Sequence, residues 1–441
     1  MTFWTVERVA AALGHGPADG RPLAGITTDT RALVPGSCFV ALRGERFDAH
    51  DYLAEAVAAG AAALVVEDAT RTGGLGVPVF TVDDTHLALA DLARYRRSAW
   101  ARPVIAVGGS NGKTSTKELL KAVLGSRLRV HATTGNLNNR VGVPLTLLAL
   151  DDAADVAVIE VGTNQPGEIA FLRDVVRPDV AVITTVQEEH LEGFGDLAGV
   201  MAEELALCDE VPVAVVPAAE LDVVAEATRR AGRVVAVRLP TTSGVHADGR
   251  GWIDVDGERV EIPLRGRHNL ANAAIALAVG REFGIAITDA ARGLAAMPQP
   301  SMRSAVTPLG RALLLNDAYN ANPGSAKAAL TLLTDIGAGR QRVVVLGTMR
   351  ELGAAAPRAH REVAEAALAG GYDLICGIGE FVPALEELAL GDPRVILANE
   401  VEALWPRLQP RLERDAAILL KASRGVALER LVPYLTSWAT A

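Results

Sequence analysis

The stretch VIAVGGSNGKTSTKELL, residues 104–120, runs from an apolar segment through GGSNG into Lys113 and Thr114 at the head of a helical pattern. A buried strand, a Gly-rich turn and a helix N-terminus form a phosphate cradle. Backbone N–H groups across Gly109, Ser110, Asn111 and Gly112 would face the anion, Lys113 would add charge, and the Thr114 hydroxyl, followed by Ser115, could ligate a divalent cation. The GxxxxGK[ST] pattern is incomplete, because Val107 stands six residues before Lys113. A plain Gly-rich βα turn is the bland alternative. Strand context together with G-K-T-S favours nucleotide binding.

Working outward, VAVIEVG, DVAVITT and VPVAVV are short apolar runs bounded by Gly, Pro or charge, as buried parallel strands are. RGWIDVDGERVEIPL, residues 250–264, alternates around Asp-Gly and predicts a hairpin. The first hundred residues form a smaller α/β pattern, with CFVAL and AALVVE as strands and a helix around YLAEAVAAG. After MPQPSMR (297–303) the alternation restarts with ALLLND, RVVVLG, DLICGIG, RVILAN and AAILLKAS. The expectation is an α/β chain of three domains, 1–100, 101–300 and 301–441.

The chain has 441 residues, too many for one ordinary core. Half of them are hydrophobic, which suits folded domains. A formal charge of −10 argues against a general nucleic-acid or acidic-membrane binder. Cys38, Cys208 and Cys376 lie far apart without a CxxC pair, so neither a disulfide framework nor a zinc site is expected. The N-terminus lacks a basic n-region, and the longest apolar run, AVAAGAAALVV, is about half of the ~20 residues of a membrane span. No stable membrane insertion and a cytoplasmic location are expected.

Further polar residues gather at strand ends. Glu160 ends VAVIE, where open α/β sheets place ligands, although a helix-capping or surface acid is an equal alternative. His190 follows AVITT within QEEHLEGFGDLAGVMAEELAL (187–207), where six carboxylates surround one histidine. A structural histidine is the commoner case, and Mg²⁺ prefers oxygen ligands. Asn138 and Asn139 in GNLNNRVGVPLTLL read alone as a turn and helix cap. His268, Asn269 and Asn272 open an Ala-rich helix, for which Asn269 is the simple N-cap. Asp317, Tyr319, Asn320 and Asn322 follow ALLLN and suggest a site more than a loop.

Taken together these residues resemble the Mur ligases, the ATP-dependent amide-forming enzymes of peptidoglycan assembly. The resemblance covers nearly the whole chain. TTDTRALVPGSCFVALRGERFDAHDYL is similar to the family's UDP-sugar domain, and GSNGKTSTKE, GNLNNRVGVPLTLL, HLEGFGDLAG, NDAYNANPGS, LGTMRELG (with His360 downstream) and LLKASRG follow in the family's order. Y-N-A-N-P points to the dipeptide-adding branch.

That resemblance implies a small UDP-muramoyl-peptide-binding α/β domain, a central P-loop-type ATPase domain with a mostly parallel sheet, and a C-terminal Rossmann-like domain. It implies ATP and Mg²⁺, with UDP-N-acetylmuramoyl-tripeptide and D-alanyl-D-alanine as substrates joined through an acyl phosphate. It also implies a monomer without a nucleic-acid partner. Lys113 would contact the phosphates, and Thr114, Glu160 and His190 would serve the metal. His268, Asn269 and Asn272 would lie near the adenine, while Arg303 and Asp317 would reach the nucleotide from the third domain. Asp29, Thr30 and Arg31 match the uridine-side motif, and Asn138 with Asn139 the muramoyl-peptide side. Tyr319, Asn320 and Asn322 belong to a signature near the dipeptide and nucleotide. Closure of the third domain over the central one is expected, since water must be kept from the acyl phosphate.

Five positions depart from the family pattern. Thr348 stands for Asp, Arg140 for an acid, and Thr163 and Gln165 for a small residue and His. Aligned without a gap, Glu204 falls where most Mur ligases carry a carbamoylated lysine. Glu204 would then supply a genetically encoded carboxylate there, completing a catalytic set of Lys113, Glu160, His190, Glu204 and Arg303. Glu203 competes if the register slips by one. Glu188, Glu189 and Glu192 are expected to be local or solvated acids. A sibling ligase adding one amino acid, a folylpolyglutamate synthetase and a catalytically silent binding relative stand as alternatives. The absence of D-N-P-R and the presence of the N-terminal domain count against the first two.

Overall fold

The computed structural model describes residues 3–44, 46–298 and 302–440. Glu45 of the GERFDAHDY motif and Gln299, Pro300 and Ser301 of the expected second boundary lie outside the described residues. Four sheets follow one another along the chain. Strands β1 (Ile26–Thr27), β2 (Cys38–Val40), β3 (Ala63–Val66) and β4 (Val79–Thr81) form a parallel sheet in sequential order. Strands β5 (Val104–Gly108), β6 (Val130–Ala132), β7 (Val156–Glu160), β8 (Val180–Ile183), β9 (Val213–Pro217) and β10 (Arg233–Val237) form a six-stranded sheet in the order β10-β9-β8-β5-β7-β6.

The predicted hairpin is present as β12 (Arg250–Val255) and β13 (Glu258–Arg265), with β11 (Ser243–Val245) added on its edge. Asp256 and Gly257 both have positive φ, as the tight turn between right-twisted strands requires. A second six-stranded sheet contains β14 (Ala305–Leu309), β15 (Ala312–Asp317), β16 (Arg342–Leu346), β17 (Leu374–Ile378), β18 (Val395–Ala398) and β19 (Ala417–Lys421), in the order β14-β15-β19-β16-β17-β18. Only β14 runs antiparallel there.

Every residue of β5, β7, β17 and β19 is buried, so their unbroken apolar runs reflect strands covered on both faces. A charged residue stands at the last position of three strands: Glu160 on β7, Asp317 on β15 and Lys421 on β19. In register, Lys421 lies between Asp317 and Leu346, so the carboxyl ends of β15, β19 and β16 are neighbours.

By contact density the chain divides into two compact units, Met1–Val107 with Leu128–Thr163 and Gly167–Ala181, and Gly108–Arg127 with Asn164–Pro166 and Val182–Ala441. No helix among the described residues is long and apolar enough to cross a membrane.

Candidate functional site

In the second unit the Gly-rich turn ends in the helix Lys113–Gly125, whose N-cap Gly112 has φ +87°. Gly109 has φ +111°, and a Cβ there would stand 2.4 Å from Thr184 Oγ1. A left-handed backbone and this close approach together explain glycine at 109. Ser110 N–H donates to Thr185 O at 2.7 Å, and Ser110 Oγ donates to Gln187 O and accepts from Gln187 N. The turn is therefore stitched to the segment after β8. On its other side a Cβ at Gly112 would meet the Asn272 amide at 2.7 Å, and Asn272 Nδ2 donates to Asn269 Oδ1.

Beneath the turn lies a buried charge cluster. Glu204, in the helix Leu197–Leu205, has no solvent exposure, and its Oε2 accepts Gly109 N–H at 2.7 Å. The Lys113 ammonium donates to the carbonyls of Gly109 and Ser110 and sits 3.6 Å from Glu189 Oε1. Glu189 is 4% exposed, so the expectation of a solvated acid is overturned: the left-handed backbone at His190 (φ +49°) separates it from the exposed Glu192 side of the turn. Burial raises the pKa of both Glu189 and Glu204, and Lys113 opposes the rise at each.

His190 Nδ1 is ion-paired with Glu351, and its Nε2 lies 3.8 Å from Glu189 Oε2. Burial lowers its pKa, but the Glu351 hydrogen bond and the nearby acids outweigh burial and leave it raised. A carboxylate on Nδ1 fixes ring orientation as outer partners of metal-bound histidines do. Glu189 Oε1 and Glu204 Oε1 are buried without a hydrogen-bond partner. Such orphan anionic oxygens fit a site that also receives a cation. Among the described residues no three His, Cys, Asp or Glu side chains gather as a metal cluster.

The region of the second six-stranded sheet reaches the same turn. Asn322 and Asn111 exchange amide hydrogen bonds at 3.0 and 3.2 Å, and Asn111 Nδ2 also donates to Gln187 Oε1 at 2.9 Å. Asn322 at the same time caps the helix Pro323–Ile336 in a reciprocal capping box with Ser325. Arg358 donates to both oxygens of Glu188, at 3.0 and 2.9 Å. Asp317 accepts Ser304 N–H on Oδ1 and Lys421 Nζ on Oδ2, while the Arg303 guanidinium lies 4.2 Å above the Tyr319 ring. His268 is exposed, yet the protein atoms crowded around it lower its pKa; Asp317 opposes the shift and Lys421 adds to it. Asn269 does not cap its helix: the helix begins at His268 with Arg267 as N-cap, and Asn269 Nδ2 instead donates to Arg265 O. Asn320 turns its Oδ1 toward the Ala321 N–H.

The first unit holds the remaining expected residues. Glu160 is 1% exposed; its Oε1 accepts Asn138 Nδ2 at 2.9 Å, and its N–H donates to Thr133 Oγ1. Asn139 Oδ1 accepts the N–H groups of Val141 and Gly142, the turn read from sequence, but it is not the helix cap: Val141 is the N-cap of the helix Gly142–Leu148. Asp29 is paired bidentately with Arg31 at 2.9 and 2.6 Å, which holds its carboxyl at about 2, and Thr30 begins the short 3-10 turn they flank.

The departures find local partners. Thr348 Oγ1 accepts Glu380 N–H, an acceptor role open to Asp as well, and Arg140 lies 4.3 Å above the Phe171 ring. Thr163 Oγ1 meets Glu168, and Gln165 is exposed. His360 anchors the LGTMRELG loop, accepting Met349 N–H on Nε2. Sequence reasoning missed Gln187, Glu351 and Lys421. Lys421 carried a signal like that of Glu160, a charge ending an apolar strand.

Family models match three consecutive segments: the Mur ligase family catalytic domain over residues 22–97, the Mur ligase middle domain over 107–280, and the Mur ligase glutamate ligase domain over 302–424. The UDP-N-acetylmuramoyl-tripeptide–D-alanyl-D-alanine ligase of Escherichia coli strain K12 is 37% identical over 426 residues, 92% of each chain. The crystal structure of MurF from Acinetobacter baumannii superposes with a TM-score of 0.90 at 29% identity, covering 98% of this chain and 99% of that one. MurF ligase from Thermotoga maritima in complex with ADP matches with a TM-score of 0.82 at 27% identity, over 94% and 98% of the two chains. The chain belongs to the Mur ligase family.

Proposed function

We propose that this chain is the ATP-dependent ligase that joins D-alanyl-D-alanine to UDP-N-acetylmuramoyl-tripeptide, forming the pentapeptide precursor of peptidoglycan. The observation that carries this reading is the Gly-rich turn with Lys113 at its helix start, set on the buried Glu204 and touched by Asn322 of the Y-N-A-N-P loop. The full-length likeness to relatives named for this activity supports it. Glu204 and Thr348, the two departures that could mark a silent relative, are both bonded into the folded site.

In this reading the terminal carboxylate of the tripeptide attacks the outer phosphorus of ATP and ADP leaves. The dipeptide amine then attacks the acyl phosphate, releasing phosphate and a proton. The turn's backbone N–H groups and Lys113 hold the phosphates; Lys113 exchanges its present carbonyl partners for phosphate oxygens. Thr114, Glu160 and His190 would hold Mg²⁺, which supplies neutralisation of phosphate charge when bound. Glu204 holds the turn from below, with the charge that a carbamate would bring and no need of CO₂. Asn269 and Asn272 support the turn, while His268, Asp317, Tyr319 and Arg303 form the nucleoside side. Asp29, Thr30 and Arg31 take the uridine end, Asn138 and Asn139 the peptide, and Asn320 and Asn322 the incoming amine. Positioning three reactants and excluding water supplies most of the rate.

We place the domain boundaries at 1–100, 101–300 and 301–441, which bracket the three family segments. We place it in the cytoplasm as a monomer. The deciding assay follows ADP release with ATP, Mg²⁺, the UDP-muramoyl tripeptide and D-alanyl-D-alanine. Release is expected with all reactants present; no ADP with or without the dipeptide would end the ligase reading.

A further inference from the structure

Lys421 is the last residue of β19 and is 3% exposed. Its ammonium donates to Asp317 Oδ2 at 2.6 Å and to the Asn320 carbonyl at 2.7 Å. The other Asp317 oxygen accepts the N–H of Ser304 at 2.8 Å, and Ser304 has φ +51°. One buried cation thus ties together a strand end, the segment that enters β14, and the loop between β15 and the helix Pro323–Ile336.

Two residues on, Ser423 completes the support. Its Oγ accepts Arg350 N–H at 2.9 Å and donates toward Ala321 O at 3.4 Å. The loop supported by Lys421 and Ser423 ends in Asn322, whose amide meets Asn111 of the Gly-rich turn at 3.0 Å. The path from Lys421 to the turn is one hydrogen bond to Asn320, the backbone through Ala321 to Asn322, and the amide pair with Asn111.

A buried ion pair is a weak stabiliser compared with apolar residues of the same shape, because both charges lose their water. What Lys421 supplies beyond stability is direction: its ammonium bonds the Asp317 carboxylate and the Asn320 carbonyl at once. We propose that Lys421 is a positioning residue for the ligation, holding Asp317 and the 318–322 loop in the arrangement that the nucleotide and the incoming amine need, while touching neither. This rests on the ligase reading above.

The test uses full-length protein carrying Lys421→Met or Lys421→Gln, with Lys421→Arg as the conservative control. In the folded variants KM for ATP and for D-alanyl-D-alanine is expected to rise about tenfold or more with a fall in kcat, since small misplacements of reactants are costly. KM for the UDP-muramoyl tripeptide is expected to stay within about twofold, its uridine end being held elsewhere. Lys421→Arg should recover most of the loss, and amide exchange should quicken across 318–322 while β15 and β19 stay protected. Folded Met or Gln variants with wild-type constants for all three substrates would overturn the proposal. So would failure of both variants to fold, which would make the pair structural. A wild-type enzyme without turnover sinks the ligase reading instead, so the two failures are distinct.

Discussion

The backbone N–H of Gly109 donates to Glu204 Oε2 at 2.7 Å, which ties a carboxylate with no solvent exposure to the start of the Gly-rich turn. Burial disfavours the charged form of Glu204, and Lys113 with this N–H offsets it. Glu204→Ala removes the acceptor and leaves a buried N–H unsatisfied, which costs about 1–3 kcal/mol. The expected result is a lower Tm and a large loss of ADP release, with wild-type turnover unchanged when bicarbonate is stripped from the buffer. A near-normal Glu204→Ala enzyme at limiting Mg²⁺ would remove Glu204 from the catalytic set.

Gly109→Ala probes the same turn from above. The added Cβ would lie 2.4 Å from Thr184 Oγ1 and 2.9 Å from both Thr184 N and Thr185 O, at a φ of +111° that alanine rarely adopts. Two of those three atoms are backbone and cannot rotate away. The turn must shift, so nucleotide affinity should fall at least about tenfold while the sheet stays folded. Isothermal titration with ADP and a far-UV spectrum on the same sample check both halves; unchanged ADP affinity would mean that the turn is not the phosphate site.

Much of this was legible from pattern. Unbroken apolar runs such as VAVIE and AILLK mark strands covered on both faces, and Asp256-Gly257 marks the hairpin turn. Short or half-exposed strands were not legible. β1 has two residues, and β10 reads RVVAV with none of them buried, so neither carries a clean period. At the site, residues adjacent to the Gly-rich turn in sequence could be named, whereas Glu189 could not be told from the solvated acids around it. Which of those carboxylates turns inward is set by the folded backbone, including the positive φ at His190, and not by local composition. Lys421 and Gln187 act through contacts 101 and 77 residues away in sequence, and no local pattern reports such pairings.

Asn322 has two jobs that mutation can separate. Its Oδ1 caps the helix Pro323–Ile336 by accepting Ser325 N–H, and its amide pairs with Asn111 of the turn. Asn322→Ala loses both, with about 1 kcal/mol from the cap alone. Asn322→Ser keeps a capping oxygen on a side chain too short to reach Asn111. Ser should therefore restore most of the Tm lost in Ala without restoring kcat/KM for D-alanyl-D-alanine. Equal recovery of stability and activity in Asn322→Ser would show that the cap is all that matters.

His360 gives the fold a pH dependence whose sign can be worked out. Its side chain is 1% exposed, its Nε2 accepts Met349 N–H, and its Nδ1 donates to Ala356 O, so the buried ring is neutral. Burial lowers its pKa below 6.5, and the Ala356 carbonyl and Glu380 oppose this only in part. As pH falls through 6.5 the unfolded chain takes up the proton first. Stability is therefore fully present above that value and is lost below it, by up to about 1.4 kcal/mol per pH unit, until the folded histidine titrates as well. His131, lowered by burial, acts in the same direction, whereas His190, Glu189 and Glu204, all raised, act in the opposite one. Urea unfolding at pH 7.5 and 5.5, run on the wild type and on His360→Gln side by side, isolates the His360 share. His360→Gln, which keeps an acceptor for Met349 N–H but cannot take a proton, should gain stability relative to the wild type on going to pH 5.5, by roughly one proton's worth of linkage. An identical pH dependence in the two proteins would show that His360 titrates in the fold as it does in the unfolded chain.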